Sequence, residues 1–341
     1  VRAAILHGPG DLGVESVPDP VVEQPTDAIV RVVAAGVCGT DLRGYAGQPG
    51  PVRGPRCGHE FVGVVTDTGP DVRTLRAGDL VVSPFQYSDG VCDPCTRGVP
   101  SSCRSGGMFG VDAGGGQAEA VRVPFADTTL VPAPVGPEDE RVPALLALAD
   151  VMSTGTHAIA SAGLRRGATV AVIGDGAVGL CSVLAAHRAG AERVFLLGRH
   201  PGRLGTGTAF GATDLVTTRG EEAHAELAEA TGGVGVDLVV DAVGEQQALD
   251  TAMAVVADGG ALALVGGPHG GVNAMLCFLR NITITGGLAP ARAYLPALVD
   301  DVLAGRLDPS PLFDLAVSLG DVASGYRAMA DRTATKVLVR P

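Results

Sequence analysis

The sequence predicts an α/β protein in which a doubly wound parallel sheet follows an irregular, mostly antiparallel β region. Three observations lead there. Proline is unevenly spread, with 16 of 23 in residues 1–150, so the first part of the chain is expected to be loop-rich. From Thr169 onward, short apolar runs alternate with helix-like stretches, the rhythm of a parallel sheet covered by helices on both faces. A triad of glycines closes the first of those runs.

Taken in order, the first region offers four short, β-branched strand candidates: Ile29–Ala34, Phe61–Thr66, Asp79–Ser83 and Ala118–Val123. Beyond Thr169, "TVAVI" (169–173), "RVFLL" (193–197), "DLVVDA" (237–242), "ALALV" (261–265) and "ITITG" (282–286) have the continuous apolar character of buried strands. Ala177–Ala189, Glu221–Ala230 and Gln246–Val256 are the helices between them. Residues 202–211 should form another, although three glycines and two threonines between 202 and 208 lower its propensity. After Leu288 come an amphipathic helix, Tyr294–Ala304, and a last strand, "KVLVR", a tail suited to packing back on the first region. There is no internal repeat and no low-complexity tract.

Composition narrows the function. A net charge of −12 and a pI of about 5.0 argue against nucleic acid or an anionic membrane as partner. Mean hydropathy is +0.30, yet every stretch long enough to span a bilayer is broken by Gly, Pro or a charge, so no membrane span is expected. The opening residues, "VRAAILHGPGDLGV", lack the basic-then-apolar layout of a signal peptide, and a cytoplasmic location is expected. Seven cysteines, an odd number, point to thiols and metal rather than a disulfide framework.

"VAVIGDGAVGL" carries G-x-G-x-x-G at Gly174, Gly176 and Gly179, ending an apolar strand and opening a helix. In a chain with 50 glycines the triad alone says little; its setting is that of a Rossmann dinucleotide site. Gly174 would make the tight turn and Gly176 would admit the pyrophosphate. Gly179 would allow close helix packing, with Ala177 and Val178 opening the helix whose positive end meets the phosphates. An acidic residue at the end of the next strand would bind the ribose diol and repel a 2′-phosphate. That position holds Gly198, Arg199 and His200. Glycine leaves room for a phosphate and Arg199 offers a forked donor to it, so NADP(H) is favoured over NAD(H). The alternative is that Arg199 is a solvated loop charge.

In the first region, "GVCGTD" places Cys38 at a strand end and "CGHEFVG" places His59 and Glu60 before another strand; Asp150 stands at the border with the second region. Cys, His and a carboxylate suit zinc, and three protein ligands leave the fourth position for substrate. One thiolate and one carboxylate also neutralise Zn²⁺. Individually, Cys38 reads as core, His59 as a satisfied polar residue and Asp150 as a helix cap. Cys92, Cys95 and Cys103 form a second constellation, three thiols where tetrahedral zinc wants four ligands.

Over essentially its full length the chain resembles the zinc-dependent medium-chain alcohol dehydrogenase family. The resemblance lies in "GVCGTDL", "GHEFVG", "GDLVV", "STGTHA" and "VIGDGAVGL", in the family's order and approximate spacing. It implies a GroES-like catalytic domain over residues 1–152 and 289–341, with a structural-zinc-type lobe at 86–106. The Rossmann domain would span 153–288, and the oligomer would contain two or four chains. It matches Cys38, His59 and Asp150 to catalytic zinc ligands, with Glu60 as the neighbouring acid, and Thr40 to the hydroxyl that relays the substrate proton. It also implies that Val178 backs the nicotinamide and that Lys336 contacts the pyrophosphate. The family's structural-zinc spacing puts the missing fourth ligand on Asp89, a carboxylate replacing a thiol, with Arg97 and Arg104 near enough in sequence to offset the charge. Arg43 stands where many relatives have a relay histidine, so the proton path ends in water or another group, or Arg43 instead binds a phosphate or an acidic substrate. The implied activity is hydride transfer between NADP(H) and an alcohol, ketone or aldehyde, with a secondary alcohol expected. Alternatives are a zinc-free quinone or enoyl reductase of the same fold, or a non-catalytic NADPH-binding protein.

Overall fold

The parallel sheet forms around the strand that precedes the glycine triad. In the computed structural model, which describes residues 1–48, 56–267 and 270–341, six strands lie in a fixed spatial order. It runs Asp214–Val216, Arg193–Leu197, Thr169–Ile173, Val236–Asp241, Val256–Leu264, Thr283–Gly286, and every neighbouring pair is parallel. The first strand in sequence is therefore central. The chain builds outward on one side and then crosses to the other, which creates a crevice at the carboxyl ends of Thr169–Ile173 and Val236–Asp241. Asp214–Val216 is too short to stand out in the sequence. The glycine-rich segment does form a helix, Pro201–Ala209. Proline at its first turn presets φ, and Gly207 lies so close to Leu196 that a Cβ there would sit 2.2 Å from a leucine methyl. Close packing on the sheet thus outweighs low intrinsic propensity.

Two compact units result: Thr154–Ala289, which holds this sheet, and Val1–Ser153 together with Pro290–Pro341. In the latter, Leu315–Ser318, Val337–Arg340, Ala28–Val37, Phe61–Thr68, Leu80–Ser83 and Val131–Pro132 pair in that order, and Ala120–Val123 adds to Ala28–Val37. All these pairings are antiparallel except the first. The C-terminal tail thus completes the sheet begun near the N-terminus. The long strand Ala28–Val37 slips register twice against Phe61–Thr68, between Ile29 and Val30 and between Val32 and Ala34. Such bulges bend a strand and re-aim its end. Here the bent end delivers Cys38. The core beneath packs Phe61 edge-on against Phe109 at 5.0 Å and encloses Tyr326, whose hydroxyl donates to Gln117 Oε1. An N-terminal hairpin, Arg2–Gly8 with Asp11–Ser16, was not evident from the sequence pattern. No single helix among the described residues is long and apolar enough to cross a membrane.

Candidate functional site

Three sequence-distant segments bring Cys38, His59, Glu60 and Asp150 together, with one ligand atom from each within 4.8 Å of all the others. Cys38 precedes the short helix Gly39–Tyr45, and its amide donates to Asp41 Oδ2 at 2.9 Å. Gly58 turns the chain at φ +92°, and a Cβ there would lie 2.7 Å from the Gln117 backbone nitrogen; only glycine can present His59 and Glu60 this way. Asp150 lies at the junction of helices Val142–Leu148 and Val151–Ser161. Its Oδ2 is 3.4 Å from both Cys38 Sγ and His59 Nε2.

The surroundings fix this geometry. His59 Nδ1 faces Asp41 Oδ1 at 3.5 Å, so Asp41 orients the ring and leaves Nε2 directed at the cluster. Asp41 is itself held by Gln117 Nε2, which also donates to Gly36 O. Glu60 is fully buried and its Oε1 accepts from Lys336 Nζ at 2.6 Å. Gly36 gives Glu60 its space, since a Cβ at 36 would overlap the carboxylate at 2.0 Å. Thr40 Oγ1 is enclosed and has no hydrogen-bond partner among the described residues. An orphaned buried hydroxyl beside a potential ligand cluster is costly unless something else completes it.

Charge crowding leaves its mark. Burial pushes the Cys38 thiol up, Asp150 adds to this, and the His59 imidazole pulls it partly back. Burial alone would lower His59, but Asp41, Cys38 and Asp150 carry it well above its ordinary value. Glu60 is raised by burial against the pull of Lys336. These directions are those of buried groups crowded by like charge, which a divalent cation would relieve. The donor set of one sulfur, one imidazole nitrogen and carboxylate oxygens suits zinc.

At the end of Thr169–Ile173 the three glycines differ in situation. Gly174 has φ +110°, and a Cβ on Gly179 would lie 1.9 Å from Gly174 O. A Cβ on Gly176 would meet nothing within 4 Å. Tight turn, close packing and open approach are the three needs of a pyrophosphate-binding turn. Gly176 caps the helix Ala177–Arg188 with no side-chain hydrogen bond, leaving its first amides available to an anion.

Residues 24–134 match the alcohol dehydrogenase GroES-like domain model and residues 177–304 the zinc-binding dehydrogenase model. A probable zinc-binding alcohol dehydrogenase of Mycobacterium tuberculosis is 37% identical over 98% of this chain and 86% of its own length. The chain belongs to the zinc-dependent medium-chain alcohol dehydrogenase family. The alcohol dehydrogenase TADH of Thermus sp. ATN1 superposes with a TM-score of 0.92 at 31% identity, covering 100% and 99% of the two chains. A zinc-binding dehydrogenase of Sinorhizobium meliloti, solved bound to NADP, gives 0.86 at 26% identity over 100% and 99%. This protein is accordingly an alcohol dehydrogenase-type oxidoreductase with a GroES-like domain and a Rossmann domain, whose cofactors are zinc and a nicotinamide dinucleotide.

Two expectations for this alcohol dehydrogenase need amending. Lys336, expected on the pyrophosphate, is fully enclosed with its ammonium on Glu60. The end of strand Arg193–Leu197 does not lack a carboxylate. Asp175, inside the glycine triad, reaches across to it, and its Oδ2 accepts from the amides of Arg199 and His200 at 2.8 and 2.9 Å. Asp41 and Asp175 are also the polar residues that sequence reasoning missed. Asp41 sits inside the quoted "GVCGTDL" motif, and Asp175 inside the fingerprint.

Asp89, Cys92, Cys95 and Cys103 form the second cluster, again with ligand atoms within 4.8 Å of one another. Cys92 Sγ lies 3.5 Å from Cys95 Sγ and 3.7 Å from Cys103 Sγ. Four sulfurs around zinc at ~2.3 Å would have tetrahedral edges of about 3.8 Å, so the spacing fits a metal. Asp89 Oδ1 accepts from the amides of Val91 and Cys92, the usual service of aspartate in a turn. Those amides, that of Cys92 foremost, hold the Asp89 carboxyl far below its ordinary value. The Arg104 amide lowers Cys92, while burial pushes Cys95 up to about 12.

Proposed function

We propose that the enzyme interconverts a secondary alcohol and its ketone with NADP(H), using one catalytic zinc and carrying a second, structural zinc. Cys38, His59 and Asp150 would hold the catalytic ion, with Glu60 alongside, and Asp89, Cys92, Cys95 and Cys103 the structural one. The observation that carries this reading is the convergence of four ligand-bearing side chains beside the unpartnered Thr40 hydroxyl. Bound zinc supplies Lewis-acid polarisation of the substrate oxygen. The protein's own part is positional: Asp41 holds the His59 ring, Lys336 holds Glu60, and Thr40 Oγ1 accepts or returns the substrate hydroxyl proton. Gly174, Gly176, Ala177, Val178 and Gly179 would seat the dinucleotide, with Gly198, Arg199 and His200 at the 2′-phosphate. The small-molecule substrate is the only non-self partner proposed, and the setting is cytoplasmic.

A homodimer or homotetramer is part of the reading. Thr283–Gly286 is the edge of the parallel sheet, and Met275, Phe278, Leu279 and Ile284 are exposed on it and on helix Ala274–Arg280. An uncovered strand edge flanked by large apolar side chains is a surface that a second chain would bury.

The test is a substrate screen of primary, secondary and polyol alcohols with both cofactors, run on protein of known metal content. Activity should follow the zinc and be greatest with a secondary alcohol and NADP⁺. Full turnover in a chelated, demonstrably zinc-free preparation would sink the metal reading. Equal use of NAD⁺ and NADP⁺ would sink the cofactor reading alone.

A further inference from the structure

We propose that Asp175 is a positioning residue for the 2′-phosphate of the cofactor, bracing from within the fingerprint the turn that carries Arg199 and His200. This rests on the NADP(H) reading above and assigns a role to a residue outside the expected strand end.

Asp175 follows the first glycine of the triad, where its side chain crosses to the next strand. Oδ2 accepts from Arg199 N at 2.8 Å, His200 N at 2.9 Å and His200 Nδ1 at 2.8 Å, and Oδ1 lies 3.8 Å from Arg203 Nη1. Positions 175 and 198 form one steric unit. A Cβ on Gly198 would stand 2.5 Å from Asp175 Cβ and 2.7 Å from Oδ2, so the aspartate fits only because residue 198 has no side chain.

Two roles are open to a carboxylate here. It can bind the ribose diol as a strand-end acid does, or it can shape the turn. Occupancy decides. A diol clamp must offer its oxygens to two hydroxyls, whereas this side chain is only 9% exposed and Oδ2 already accepts three hydrogen bonds. Burial by itself would raise its carboxyl, but the His200 and Arg199 amides outweigh that and keep it below its ordinary value. The groups left to face a ligand are basic or neutral. The Arg199 guanidinium is exposed, and neither it nor His200 Nε2 has a partner among the described residues. The His200 ring, tied through Nδ1, has its plane fixed. With Arg203 beside the carboxylate, the local balance favours an anion.

The test uses adenosine 2′,5′-bisphosphate and adenosine 5′-monophosphate as calorimetric probes on the whole protein, so neither nicotinamide nor zinc chemistry enters the readout. The unaltered enzyme should bind the bisphosphate about 10-fold tighter or more, the size of a charge-assisted hydrogen bond or two. Asp175→Asn should lose most of that preference while the monophosphate changes by no more than about twofold. In a His200→Ala background the same substitution should cost less, because the two residues share one interaction. Tighter bisphosphate binding by Asp175→Asn would show that the carboxylate repels the phosphate, and equal weakening of both probes would show a merely structural role. Either result overturns the proposal, as does an unchanged preference. Should Asp175→Asn fail to fold, a preference intact in both Arg199→Ala and His200→Ala would overturn it equally. An unaltered enzyme with no preference brings down the NADP(H) reading, and this inference with it.

Discussion

Replacing Lys336 with methionine isolates the electrostatics of the buried pair beside the catalytic cluster. Lys336 and Glu60 are 0% and 1% exposed and 2.6 Å apart. Without the ammonium, Glu60 remains enclosed beside Asp150, and its cheapest escape is to take up a proton. Protonating a carboxyl of ordinary pKa ~4.3 at pH 7 costs about 3.7 kcal/mol, within the ~3–5 kcal/mol typical of breaking a buried ion pair. The sign follows from proton counting. In the variant, Glu60 has a folded pKa above its unfolded one, so the folded state binds the extra proton and stability falls as pH rises. The penalty should therefore shrink to about 1 kcal/mol at pH 5. The protein has no tryptophan, and all four tyrosines (Tyr45, Tyr87, Tyr294 and Tyr326) lie in the unit containing the pair. Tyrosine fluorescence during urea unfolding therefore reports that unit selectively. Adding Glu60→Gln should recover most of the loss, since it removes the stranded charge. A loss below about 1 kcal/mol at pH 7, or one of equal size at both pH values, would refute this account of the pair.

Asp41→Asn should lower affinity for the catalytic zinc about 10- to 100-fold by chelator competition, because the His59 ring loses its orienting carboxylate. Metal analysis should find two zinc ions per chain, and Asp89→Ala should lose one. A single zinc, with Cys92, Cys95 and Cys103 freely alkylated in native protein, would mean the lobe is empty. Thr40→Val should cut kcat by ~10²- to 10⁴-fold, whereas Thr40→Ser should be mild because it keeps the hydroxyl. Gly198→Asp alone should disrupt the turn, since its Cβ would collide with the Asp175 Cβ and carboxylate; Gly198→Asp with Asp175→Gly, which removes both, should fold and shift the KM ratio towards NADH.

How much was legible in the sequence depended on whether the cause was local. Thr169–Ile173 and Arg193–Leu197 were read to the residue because buried parallel strands are continuous apolar runs. Three-residue Asp214–Val216 and the hairpin Arg2–Gly8 with Asp11–Ser16 lack that signal. Helix Pro201–Ala209 was doubted on propensity, and what settles it is Gly207 against Leu196, a contact between elements. The same division runs through the site. Cys38, His59, Glu60 and Asp150 could be proposed as a set because their residue types suit one ion and their motifs resemble a family. Asp41 could not, since its partner His59 is 18 positions away and comes near only through a strand pairing. Asp175 was hidden more deeply. Scanning strand ends for an acid assumes that the acid belongs to the strand it serves, and here it belongs to the preceding turn.

Charge gives each member of the Cys38, His59, Glu60 and Asp150 cluster a part in the proposed metal site. Lys336 balances Glu60, and Cys38 as thiolate with Asp150 as carboxylate would together balance one divalent cation, so in the proposed metal site the first ring of donors would be neutral only with that cation bound. Asp41 adds a further negative charge; its Oδ2 accepts from the Cys38 amide and the Gln117 side chain, while its Oδ1 faces the His59 ring at 3.5 Å. Neutrality matters because the side chains of His59, Glu60 and Lys336 are 3% exposed or less, where an unbalanced charge costs several kcal/mol. Without the cation, protons would make up the difference, the sense in which burial raises Cys38 while the surrounding acids raise His59. Zinc binding in the proposed site would therefore be coupled to proton release. If the proposed reading holds, a substrate oxygen would add a single negative charge there, which the enclosed Thr40 hydroxyl, without a hydrogen-bond partner among the described residues, would be placed to share.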